Sequence, residues 1–308
     1  MHAAFSVIFF TVTSGLGYGL MTLLVIAYLS GFGAISEQNA LIAGVAALIF
    51  ITLGLLSSTF HLANPKNAIR AFSRFRTSWL SREGVFAVLF YPFALMFLFC
   101  IWKVSSSEQE IMGIGGVIAG VIAAILAMIT VFSTGMIYAC LKTIRQWNTA
   151  LTPANYMTLG LMLGALFLAA VQTKPEFLTL AMALIAFAGV MKLMYYAWIG
   201  EPTGPSINSA TGFTNDKVRI LEAGHTADTF LNHEFGHTIM PSKSFMLRSV
   251  VFILGFIVPF VLVMMGEKNV MLIYIAMISA YVGILVERWL FFTEARHVVN
   301  LYYGAQRT

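Results

Sequence analysis

Charge is scarce in this chain. Of its 308 residues only 10% are Asp, Glu, Lys or Arg while 59% are hydrophobic, whereas soluble domains carry roughly 25% charged residues. With a mean hydropathy of +0.85, a water-soluble fold is excluded and an integral membrane protein is implied. Cysteine is nearly absent. Cys100 and Cys140 fall in different apolar runs, near opposite ends, which argues against a disulfide and excludes an iron–sulfur cluster, since a cluster takes about four cysteines. Histidine is missing from the runs themselves: His2, His61, His225, His233, His237 and His297 lie in termini, loops or helix ends, so none is placed to clamp a haem across a bundle. Alternating polarity is missing too. Gly115 to Ala139 is continuously apolar, whereas barrel strands alternate over roughly 10 residues. No polar stretch is long enough for a domain with its own core, and no internal repeat of the inverted transporter kind is visible. The chain therefore holds no haem, iron–sulfur cluster or molybdenum of its own. Electron transfer, if it takes part in any, runs through a small organic carrier dissolved in the lipid and through another subunit.

What is there is a set of eight apolar runs, near 5–30, 40–60, 84–102, 115–140, 155–171, 177–199, 246–265 and 270–293. Each suffices for a spanning helix of about 20 residues, which predicts an all-α bundle of eight transmembrane helices forming one membrane domain over 1–308. The first run is too long for a signal-peptide core of about 7–15 residues and lacks a small-residue cleavage signal, so it reads as a retained helix. Orientation follows from the basic residues, which stay on the cytoplasmic side in short loops. Lys66, Arg70, Arg74, Arg76, Arg82, Lys142, Arg145, Lys217, Arg219, Lys243, Arg248, Arg296 and Arg307 fall on one face, against Lys103, Lys174 and Lys268 on the other. Both termini are thus expected in the cytoplasm. The net charge of +5 belongs to that face. Plain topology determination explains much of it, and it also suits anionic headgroups or an acidic soluble partner; nucleic acid is not expected.

The polar break from His61 to Glu83 carries the main candidate site. It opens with a histidine where one span ends and closes with a glutamate where the next begins. Reducing a quinone takes two electrons and two protons, so its site needs titratable groups beside an apolar slot. Histidine exchanges protons near neutral pH, and an interfacial glutamate does so according to its desolvation. Arg82, Trp79 and Arg76 are positioned to shape such a site. A structural role stands beside this one: Glu83 follows Ser81 at a helix start, where acidic residues serve as caps. Gly15, Gly17 and Gly19, around Tyr18, allow close helix packing or the close approach of a flat ligand.

Two further segments compete. His233-Glu234-Phe-Gly-His237 matches the zinc protease pattern, but Pro241 limits a continuing helix and no third ligand is evident. A polar docking loop is the other reading. Lys192, Tyr195, Tyr196 and Trp198 read as an aromatic belt with a lysine reaching for the surface. Glu287-Arg288-Trp289 through Glu294 and Arg296 reads as an interfacial anchor, in which Glu287 and Arg288 do not pair with each other and Arg288 is left for another helix.

At His61-Leu-Ala-Asn-Pro65, Arg70-Ala-Phe72, Ser78-Trp-Leu-Ser-Arg-Glu83 and Glu287-Arg-Trp-Leu-Phe-Phe-Thr-Glu-Ala-Arg-His297, the chain resembles the DmsC family, membrane anchors of dimethyl sulfoxide reductase-like molybdoenzymes. With the opening Phe5-Ser-Val-Ile-Phe-Phe-Thr11, it is most similar to the branch that anchors cytoplasmic sulfite dehydrogenases. The resemblance spans the whole chain. It implies a bacterial inner-membrane anchor that binds ubiquinone or menaquinone, an iron–sulfur subunit docked on the cytoplasmic side, and a molybdopterin-bearing catalytic subunit. The family's quinone-site histidine and glutamate fall on His61 and Glu83. The chain departs from the family pattern at Ala63, where glycine is frequent, and at Asn67, where a basic residue is expected. An anchor that oxidises quinol for a reductase is the alternative within the family.

Overall fold

The computed structural model describes residues 4–59, 65–106, 111–200, 204–213, 218–222, 240–303 and 305–308. Among them no strand forms, and eight helices are long and apolar enough to cross a membrane. In chain order these are α1 (Phe5–Ser30), α2 (Glu37–Thr59), α3 (Trp79–Ser105), α4 (Ile114–Ala139), α5 (Leu151–Val171), α6 (Pro175–Ile199), a seventh span built from two helices, and α10 (Val270–Thr293). A short α7 (Ile207–Thr211) follows α6; the seventh span joins α8 (Pro241–Phe252) to α9 (Val258–Met265) through one π-turn, Ile253–Ile257.

Local chemistry sets these bounds. α1 stops where Gly31 turns left-handed at φ 71°, a conformation glycine adopts without penalty. α6 opens with Pro175, whose missing N–H is no loss in a first turn. The π-turn sits just before Pro259, which cannot donate into the helix. Ser279 of α10 donates to the Leu254 carbonyl there at 2.8 Å, one polar contact that ties the irregular turn to its neighbour. α3 begins at Trp79, five residues before the expected start, because the Ser78 side chain accepts the Ser81 N–H at 3.3 Å. Arg82 and Glu83 therefore lie inside the helix, not ahead of it.

α1 and α5 form the centre of the bundle, with 89% and 72% of their spanning windows buried, against 28–39% for the other six. Small residues make this possible. A Cβ added to Gly19 would stand 2.1 Å from the Gly160 carbonyl oxygen, and one on Gly164 would stand 2.3 Å from the Leu20 nitrogen. On another face of α1, Gly17 meets the backbone of Ala47 on α2. α3 and α4 pair beside α1, and α10 packs on α5 and α9. Where α4 and α10 end, the chain is knitted together: Trp147 Nε1 donates to the Phe291 carbonyl at 2.9 Å, and Val298 N donates to that of Thr143 at 3.1 Å.

Candidate functional site

Glu83 lies in the second turn of α3 and is only 5% exposed. It does not cap its helix, since Ser78 fills that role. Its carboxyl faces α4, where the Thr134 hydroxyl contacts both Glu83 Oε1 and, at 3.0 Å, the Thr130 carbonyl. A hydroxyl has one proton for these two acceptors. When it goes to Thr130, the Glu83 contact persists only if the carboxyl itself is protonated. The geometry thus serves both charge states of Glu83.

Tyr18 comes to the same place from α1. Its ring meets Phe90 edge-on at 5.2 Å, it is 2% exposed, and its hydroxyl has no hydrogen-bond partner among the described residues. Thr130, Tyr91 and Glu83 are its polar neighbours. Beyond Tyr18, an apolar groove of about 690 Å³ opens between α1 and α4. It starts at Thr22 and Ile129 and runs to Ser30 and Val121.

Trp79 and Arg82 form the rim. The Arg82 guanidinium lies over the Trp79 ring at 4.2 Å, and Trp79 meets Phe132 of α4 edge-on. Arg82 donates to the carbonyls of Phe75 at 3.0 Å and Arg76 at 2.8 Å, so it braces the preceding turn. The Arg76 side chain is exposed. Gly15 is placed elsewhere, at the crossing with Gly160, where it lines a cavity of about 10 Å³ with Thr11, Tyr156 and Arg288. His61 lies outside the described residues, as do His233, Glu234 and His237. Among the described residues no three His, Cys, Asp or Glu side chains gather to hold a metal, and Cys100 and Cys140 are both free.

Sequence reasoning missed a second polar cluster. Lys192 is 1% exposed and does not reach for the surface; its ammonium contacts Glu287 of α10 and lies 4.1 and 4.6 Å from the Tyr195 and Tyr196 ring centres. The bundle supplies an anion and two π-faces, so the lysine turns inward. Glu287 and Arg288 do pair, contrary to expectation. The long guanidinium arm folds back so that Nε and Nη2 stand 2.5 and 2.7 Å from the two carboxylate oxygens. Charges within spanning segments are costly and mark functional positions. Lys192, Glu287 and Arg288 carried that signal, which their closeness to the run ends disguised.

These features define a multi-pass membrane protein of eight spans whose buried charges gather at one end of the bundle. The sequence profile for the DMSO reductase anchor subunit (DmsC) matches residues 1–304. The chain is 32% identical to the sulfite dehydrogenase C subunit of Allochromatium vinosum, covering 98% of this chain and 99% of that protein. It belongs to the DmsC family of membrane anchor subunits.

Proposed function

We propose that this anchor is the quinone-reactive subunit of a molybdopterin oxidoreductase, passing electrons from cytoplasmic sulfite oxidation through an iron–sulfur subunit to quinone in the bacterial inner membrane. The observation that carries the reading is the buried Glu83 carboxyl, served in both protonation states by Thr134 beside the unpaired Tyr18 hydroxyl. A quinone, ubiquinone or menaquinone, supplies two-electron, two-proton carrier chemistry. The residues suit it: a polar pocket needs a few placed donors and acceptors in apolar surroundings, and the α1–α4 groove gives an apolar tail a path into lipid. Glu83 holds or releases a proton within the bundle, and His61 exchanges it with the cytoplasm. Tyr18 offers a hydrogen bond to a ligand oxygen. Trp79 and Arg82 exclude water at the rim, and Arg76 adds positive potential outside it. Both termini face the cytoplasm, where the basic second and sixth loops receive the soluble subunits, and substrate chemistry belongs to those subunits.

The family description favours one second reading, electron flow from quinol toward a reductase. Gentle purification through a tag on this chain, with metal analysis and mass spectrometry, tests the assembly. Copurifying molybdenum, iron and two soluble subunits support the anchor reading, and sulfite-dependent quinone reduction by that complex fixes the direction. Recovery of a lone chain with one equivalent of zinc overturns it in favour of a metalloprotease at 233–237.

A further inference from the structure

The bundle end that holds Glu83 also holds charges for which the proposed reaction gives no use. Lys192, Glu287 and Arg288 are each at most 3% exposed. Two cations meet one carboxylate there, and the neighbouring Arg248 and Glu294, 2.9 Å apart, balance each other. One positive charge is left over inside the bundle, where an uncompensated ion is costly. Of the two buried carboxyls among the described residues, Glu287 is ion-paired and Glu83 is not.

Contacts connect the two. The Arg288 guanidinium lies over the Tyr156 ring at 4.2 Å, and Tyr156 stacks on Tyr138 at 5.9 Å with the rings 20° apart. Tyr138 sits one turn beyond Thr134 on α4, and Thr134 holds Glu83. The groups near Glu83 are Tyr18 from α1, its chain neighbour Arg82, Tyr138 from α4 and Tyr156 from α5, with Arg288 of α10 behind Tyr156; the 3-10 segment Pro65–Arg74 that packs on α3 carries Arg70 and Arg74, both exposed to solvent. Arg82 is committed to Trp79 and two backbone carbonyls. The cluster across the tyrosine stack is the remaining buried source of positive charge among these groups.

We propose that Lys192, Glu287 and Arg288 are positioning residues for Glu83, their excess cation balancing its carboxylate across the Tyr156–Tyr138 stack. With Glu83 ionised, the four buried groups Glu83, Lys192, Glu287 and Arg288 sum to zero charge, and taking up a proton leaves them with one positive charge. The inference rests on the reading of Glu83 as proton exchanger, but its test needs no quinone. In the purified complex, the infrared band of the protonated carboxyl that Glu83→Gln deletes is titrated against pH. Lys192→Met removes the excess charge and leaves Glu287 paired with Arg288. The titration midpoint then moves to higher pH by roughly half a unit, the scale of one charge lost across the bundle interior at an effective dielectric near 20. Lys192→Arg restores it. An unmoved midpoint in Lys192→Met overturns the proposal, as does an equal shift in Lys192→Arg. Lys192→Gln carries the same test if the methionine variant does not assemble. A shifted band together with undiminished quinone turnover in Glu83→Gln would leave the charge link standing and remove the quinone role of Glu83.

Discussion

Thr134 stands between Glu83 Oε1 and the Thr130 carbonyl with a single proton to give. The contact between α3 and α4 therefore has two forms, one with Glu83 accepting and one with Glu83 donating. Glu83→Gln keeps the size and a hydrogen bond but cannot change its charge. Turnover with quinone, measured per molybdenum in the assembled complex, is expected to fall roughly 10²-fold, the scale of a lost general acid or base. Thr134→Val removes only the switchable partner and gives a smaller loss. Turnover within twofold of the parent in Glu83→Gln would rule out the proton-exchange role.

Packing at the centre gives a second prediction. Gly19→Ala drives a methyl group to 2.1 Å from the Gly160 carbonyl oxygen. Backbone cannot yield as a flexible side chain can, so α1 and α5 must separate, at a cost of about 1–3 kcal/mol. Gly115→Ala in the first turn of α4 meets nothing within 4 Å and gains some helix propensity, less than the roughly 0.5–1 kcal/mol of a helix-interior position. Thermal unfolding in detergent should place the two variants on opposite sides of the parent; a neutral Gly19→Ala would disprove the crossing.

Much of this architecture is written in composition. Continuous apolar runs leave spanning helices as the only economical solution for the backbone, and all eight runs become spans. Bounds were harder, because Ser78, five residues before Glu83, caps α3 and moves its start ahead of Glu83. Depth was harder still. Lys192 and Glu287 lie near run ends, and a sequence does not state which face of a helix meets which neighbour. Their burial follows from the pairing of α6 and α10 against α5, a tertiary fact. Glu83 could be singled out as a charge at a span boundary, whereas Thr134, its partner 51 positions away, carries no signal of its own.

Removing the anion from the second cluster should do more harm than removing one cation. Glu287→Gln leaves Lys192 and Arg288 facing each other without compensation, and breaking a buried ion pair in this way costs about 3–5 kcal/mol. Lys192→Met leaves the two-point Arg288 contact in place. The expected order of melting temperatures is parent, Lys192→Met, then Glu287→Gln. The reverse order of the two variants would contradict the buried geometry.

The proposed orientation can be read from a native residue. Cys140 is exposed at the end of α4, the end shared with the start of α3, while Cys100 is half-buried in the last turns of α3. A membrane-impermeant maleimide should label Cys140 in inside-out vesicles and spare it in intact cells. Labelling in intact cells would invert the topology and place the basic loops outside.

The tail beyond α10 is held by a contact that acid should loosen. His297 Nδ1 accepts the Val299 N–H at 3.0 Å, and the residue bridges to Ile144 in the loop between α4 and α5. An acceptor nitrogen must be unprotonated, and partial burial lowers the histidine below its ordinary value of 6.5. Once the tail detaches, His297 takes up a proton more readily than when docked, so its contribution is fully present above about pH 6.5 and is lost as pH falls below that through the lowered native value. Hydrogen exchange at Val298 and Val299 should therefore speed up between pH 7.5 and pH 5.5 relative to the intrinsic rate. His297→Asn keeps a short acceptor that does not titrate, and should flatten that dependence. The same acid sensitivity in His297→Asn would assign the loosening to another group.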